Sequence, residues 1–227
     1  MALLLVGSSL LTGVGAEQAG TASSGSWFVD HTAETFSNQE AAQQAIAPQR
    51  IDADLLDAAV FHETNRRRQR HGLAPLGFDA RAREAARLQS AAMAEHGFVG
   101  HDNPFDAELR TPMDRAQRAG LAPKFLAENV ANAFVRAYEE GARVHVRTEN
   151  GKRVLSEEPG GPPIPMQDYV GFAAALLDDW MDSPGHRRNI LHSAPEYLGS
   201  ACSTTVPDAP MPKLSCTQIF FTPLPDR

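Results

Sequence analysis

The chain has little cysteine, no excess of basic charge and no long apolar run, and each shortage narrows what it can be. Two cysteines in 227 residues are too few for a disulfide-dense scaffold. Without a Cys-x-x-Cys pair they do not describe a redox thiol centre either. The formal net charge of −7 disfavours a nucleic-acid binder, which needs a positive face for phosphates. The apolar stretch at residues 2–14 is short and interrupted by Gly7, Ser8 and Ser9, so no membrane span is expected. No Gly-x-Ser-x-Gly elbow, Gly-x-Gly-x-x-Gly pattern or P-loop is present, which removes the common nucleophile and nucleotide signals. His62-Glu63 begins like a zinc-protease motif, but Arg66 stands where its second histidine belongs. The pair reads as part of a helix.

What remains has the composition of one sizeable globular domain with tails. Residues 1–16 read as a secretory signal, with Val14-Gly15-Ala16 offering small residues for cleavage. Residues 17–50 are poor in large apolar side chains and read as a linker or weakly ordered arm, with one helical turn near 39–47. The globular part begins near Ile51. Cys202 and Cys216 sit in two β-like runs. Adjacent antiparallel strands could join them in a structural disulfide, which favours an exported protein.

Helix signals open at Asp52 or Asp54 and close at Gly72. They open again at Asp79 and close at Gly97, with Ala85, Leu88, Ala92 and Met93 as the expected buried stripe. The run Arg66, Arg67, Arg68 and Arg70 reads as a solvated helix face. A short helix over 112–119 ends at Gly120, and the loop after it carries Pro123 and delivers Glu128 and Asn129. Asn150-Gly151 between alternating residues predicts a hairpin, and a further helix spans about 168–181. Helices and strands mix without a regular βαβ repeat, so the fold class is α+β, helices against a central antiparallel sheet.

Three polar signals stand out: Gly100-His101, Glu128-Asn129-Val130-Ala131, and Ser183-Pro184-Gly185-His186, where a turn presents the imidazole. Together with Asn65-Arg66-Arg67-Arg68, His71-Gly72-Leu73, residues 180–191 and Cys216-Thr217-Gln218-Ile219-Phe220, they make residues 51–227 resemble the CAP superfamily. That superfamily holds the cysteine-rich secretory, antigen 5 and pathogenesis-related 1 proteins, and the resemblance is to its bacterial secreted branch. It implies a three-layer α-β-α sandwich and a cleft lined by two histidines and acids, matched here by His101, Glu128 and His186. The family's second acid falls on Ser183, with Asp179 and Asp182 nearby.

Two imidazoles and a carboxylate are good ligands for a divalent metal, Zn²⁺ first. The expected function is therefore a secreted or cell-envelope protein binding a divalent cation or a small apolar or extracellular ligand, a lipid or envelope component among the candidates. A metal-assisted hydrolase of peptide or envelope material is one alternative. A non-catalytic scaffold, with the cluster purely structural, is the other. An insertion at about 136–165 either shapes the cleft or is a surface excursion.

Overall fold

Side-chain oxygens placed one residue ahead of apolar, helix-periodic stretches set where the helices start. The structure is a computed structural model and is described for residues 26–139 and 141–225. The expected signal segment lies outside the described residues. In chain order the elements are α1 (Ser26–Val29), α2 (Ala33–Ser37), α3 (Ala53–Arg70), β1 (Gly77–Phe78), α4 (Ala80–His96), α5 (Pro112–Arg118) and β2 (Pro123–Phe134). They continue with β3 (His145–Glu149), β4 (Lys152–Ser156), α6 (Tyr169–Asp182), α7 (Pro184–Ile190), β5 (Tyr197–Ser203) and β6 (Lys213–Pro223). Asp52, Asp79 and Asp168 accept backbone N–H groups at the starts of α3, α4 and α6, filling donors that a helix leaves open. Gly97 closes α4 at φ 69°, in the left-handed region that glycine tolerates best.

The main sheet has the order β1-β5-β6-β2. Its three long strands are antiparallel, and the two-residue β1 adds a short parallel edge beside β5. Strand alternation gives β6 two apolar faces. Leu214, Cys216 and Phe220 join the core built with α3 and α6, around Leu56, Val60, Phe172, Leu176 and Trp180. Ile219 and Phe221 point the other way, onto Ala82, Ala85 and Ala86 of α4 and Ala116 of α5. The result is the α-β-α sandwich, with α3, α6 and α7 on one side and α4 and α5 on the other.

Cys202 and Cys216 face each other in the β5–β6 register and form a disulfide across 14 positions of sequence. Closing a loop of this size stabilises the fold by about 3 kcal/mol in the chain-entropy model. Replacing both cysteines with serine is therefore expected to lower the unfolding free energy by roughly that amount in urea titrations. An unchanged midpoint would contradict a structural role for the bond.

Three expectations need correction. Residues 26–50 are not a weakly ordered arm: they pack across α3 and α6, burying Phe28, Phe36, Ala42 and Ile46. A few large apolar groups among small polar ones suffice, because each meets a preformed helix surface. The arginine run is not a solvated face. Arg68 is buried and donates to the carbonyls of Ala74, Ile190 and His192, while Arg67 pairs with Glu63 and Asp178. On α4 the buried face is Ala82, Ala85, Ala86, Gln89, Ser90 and Met93, with Leu88 and Ala92 only partly covered. Close approach to β5 selects the small residues over the more hydrophobic leucine.

The Asn150-Gly151 turn takes φ of 50° and 76°, the paired positive angles of a tight hairpin turn. β3 and β4 form a sheet of their own. The insertion is rooted where Arg136 donates to the Ile164 carbonyl and Ala137 N–H to the Pro165 carbonyl. That root lies beyond the end of β2, whose last residue is itself roughly 20 Å along the strand from Glu128 at about 3.3 Å per residue. This distance favours a surface excursion over a wall of the cleft. No helix among the described residues is long and apolar enough to cross a membrane.

Candidate functional site

β2 is the edge strand of the sheet, and its alternation sends Glu128 and Asn129 to opposite faces. Both residues lie within this strand and not in a loop, as the sequence had suggested. Glu128 pairs in register with Ile219 and so faces α4 and α5, whereas Asn129 pairs with Gln218 and faces α7.

On the first face, the capping box at Thr111 starts α5 and places Arg115 one turn later. Arg115 is completely buried (0% exposed). It donates to the carbonyls of Leu109 and Arg110 at 2.9 Å, to the His101 carbonyl at 2.8 Å and to Glu128 Oε2 at 2.7 Å. His101 donates from Nδ1 to Glu128 Oε1 at 2.9 Å. The Glu128 side chain is 2% exposed, while that of His101 is 54% exposed. Both carboxylate oxygens therefore have a partner, and the outer imidazole edge of His101 remains open to solvent.

On the second face, amides lace α7 to the strand. Asn129 donates to the His186 carbonyl at 3.3 Å and to Gln218 Oε1 at 3.2 Å. Asn189 donates to Asn129 Oδ1 at 2.9 Å and to the Glu128 carbonyl at 3.1 Å. Ser183-Pro184-Gly185, expected as a turn, are the cap and first residues of α7, with proline in the first turn where its missing N–H costs nothing. His186 thus sits in helical backbone, its ring edge-on to Trp180 at 6.3 Å.

The two imidazoles shift in opposite directions. The hydrogen bond to Glu128 holds the His101 proton and raises its pKa above the ordinary histidine value. Burial pushes the His186 pKa down, and the charge of His101 pushes it further. In an NMR titration, His101 should change state above about 6.5 and His186 below it. Replacing His101 with alanine should move His186 upward. The stability lent by the His101–Glu128 contact is present in full below the unfolded value of about 6.5 and is lost as pH rises through the raised folded value. Coincident titration of the two rings would contradict this electrostatic picture.

The structure brings His101 and Glu128 into contact and sets His186 within electrostatic reach. The Glu128 carboxylate is 2% exposed and each of its oxygens already accepts a hydrogen bond, from Arg115 and from His101. Among the described residues, no group of three or more histidine, cysteine, aspartate or glutamate side chains is disposed to hold a metal ion. Neither Asp179 nor Asp182 completes such a group, and Ser183 is the helix cap. His62 is a core residue: its Nε2–H donates to the Trp27 carbonyl at 2.7 Å, and burial lowers its pKa to about 4.

Arg115 was not singled out from the sequence. It lies between Arg110 and Arg118, and nothing in the local spacing marks the buried one. The capping box ahead of it was the available clue, since it fixes which side of a short helix faces the strand.

These elements define a three-layer α-β-α sandwich with a polar network crossing its edge strand. The family model for CAP, the cysteine-rich secretory protein family, matches residues 61–209, and the chain belongs to that family. A Bacillus subtilis (strain 168) relative, described as uncharacterized protein YkwD, is 25% identical over 153 residues, covering 67% of this chain and 44% of the relative. The chain thus spans less than half of that protein's length. Among solved structures, an extracellular protein containing a SCP domain from Bacillus anthracis str. Ames is 24% identical, over 74% of this chain and 41% of that one, with a TM-score of 0.49. An outer surface protein from Borrelia burgdorferi is 14% identical, over 73% and 90% of the two chains, with a TM-score of 0.48.

Proposed function

We propose that the protein acts outside the cytoplasm by binding a small polar ligand at the β2 edge through His101 and His186. The double engagement of Glu128 carries this reading: with both its oxygens held by Arg115 and His101, the groups left to meet a ligand are imidazoles. With its Nδ1–H given to Glu128, the Nε2 of His101 accepts while the ring is neutral and donates once the ring is protonated. His186, whose pKa burial lowers, offers a ring lone pair as acceptor in its neutral form. Such a pair suits a ligand with a carbonyl or hydroxyl oxygen beside an N–H or O–H group, as envelope glycans and peptides have. The extracytoplasmic setting is supported by the disulfide, a bond that persists in oxidising compartments, and by membership of a secretory family.

Calorimetry on the purified protein beside its His101→Ala/His186→Ala variant tests this. Soluble envelope glycan-peptide fragments should give a saturable heat that the variant loses, and ZnCl₂ should give the same trace for both proteins. Zinc binding lost in the variant would establish the metal reading instead. Fragments cleaved by the wild type alone would establish a hydrolase. A variant that unfolds, or that binds the fragments unchanged, would make the cluster purely structural.

A further inference from the structure

Beside α7 lies an open, shallow surface pocket lined by Pro184, Arg187, Arg188, Leu191, His192 and Ser193, with both arginines and the serine exposed. Neither His101 nor His186 lines it, so it is separate from the cleft proposed above. Its lining holds two guanidiniums, an imidazole and a hydroxyl, and no acid. In a chain of net charge −7 that is an unusual concentration of donors. Arg67, Arg83 and Arg115 all meet carboxylates. Among the described residues Arg187 and Arg188 do not.

These donors stand on a fixed base. Arg68, buried in α3, donates to the carbonyls of Ile190 and His192 at 2.7 and 2.8 Å, which pins the end of α7 to the core. His192 accepts the Ala194 N–H at Nδ1, 2.9 Å away. Its ring proton is therefore on Nε2, and the ring rests against Phe125 at 4.7 Å. Arg187 donates through Nη2 to Nε2 of His71 at 3.4 Å, and His71 donates from Nδ1 to the Arg67 carbonyl at 2.9 Å. One edge of the Arg187 guanidinium is thereby steadied, and its remaining N–H groups are left to give.

Planar guanidinium forks match the oxygens of a phosphate two at a time, and a neighbouring imidazole N–H and hydroxyl can reach the others. We infer that this pocket binds a phosphate group, with Arg187 and Arg188 as the principal donors and His192 and Ser193 completing the shell. The group is carried either by a soluble molecule or by a lipid headgroup. The inference does not rest on the imidazole cleft, and its variants leave His101 and His186 in place.

The test uses the whole protein at low ionic strength, where exposed charges are least screened. Calorimetry with inorganic phosphate compares the wild type, Arg187→Ala/Arg188→Ala, Arg187→Lys/Arg188→Lys and His101→Ala. A parallel arm measures sedimentation with phosphatidylglycerol vesicles. The alanine pair should weaken phosphate binding at least tenfold, the lysine pair should recover part of it, and His101→Ala should bind like the wild type. Phosphate binding without vesicle capture assigns a soluble ligand, and vesicle capture lost in the alanine pair assigns a headgroup. Should the alanine pair misfold by circular dichroism, the lysine pair decides, with weaker binding than the wild type supporting the site. No saturable binding in either arm, or equal binding by wild type and variants, overturns the inference.

Discussion

Replacing Arg115 with methionine should lower the unfolding free energy by about 3–5 kcal/mol, the usual cost of leaving one partner of a buried ion pair uncompensated. Methionine preserves much of the volume, so the loss isolates charge and hydrogen bonding from packing. Glu128, 2% exposed, would keep only the half-exposed His101 as a partner. The carbonyls of Leu109 and His101 would lose the Arg115 donor as well, and that of Arg110 would keep only the Asn103 N–H. Urea titrations of the variant beside the wild type measure the loss. A loss under about 1 kcal/mol, comparable to an exposed pair, would show that Arg115 does not organise the site.

Gly199→Ala should be at least as damaging, for a steric reason. A methyl group at Gly199 would stand 2.0 Å from the Arg83 nitrogen and 2.2 Å from the Ala82 carbonyl carbon. Both are helix backbone atoms, so no rotamer change relieves the clash. Helix α4 would have to lift from β5 and unpack Ala82, Ala85 and Ala86 from the sheet. A loss of more than about 4 kcal/mol is expected, read as a collapse of soluble yield or of the thermal midpoint. Gly77→Ala is the control, because its nearest neighbours at 3.1 and 3.2 Å belong to the Tyr197 ring, which can yield. A wild-type midpoint for Gly199→Ala would mean that α4 and β5 are not in this contact.

Features settled within a few residues were legible in the sequence. The caps at Asp52 and Asp79, the glycine at 97 and the Asn150-Gly151 turn all act through their nearest neighbours. Cysteines in two separate β-like runs likewise proved to share one strand register. What escaped depends on contacts between distant segments. Burial of Arg68 requires the carbonyls of α7, and burial of Phe28 and Phe36 requires the surface of α3. The polar cluster on β2 shows the same division. The motifs pointed to His101, Glu128 and His186, but the partners of the carboxylate were not legible. They depend on Arg115, whose position follows from how α5 lies on β2.

Crystals grown with ZnCl₂, measured for anomalous scattering at the zinc edge, test the central claim most directly. The claim is that Glu128 belongs to Arg115 and His101. The expected map keeps that network intact and has no zinc peak bonded to Glu128. A peak within bonding distance of Glu128 and both imidazoles, with Arg115 turned away, would contradict it.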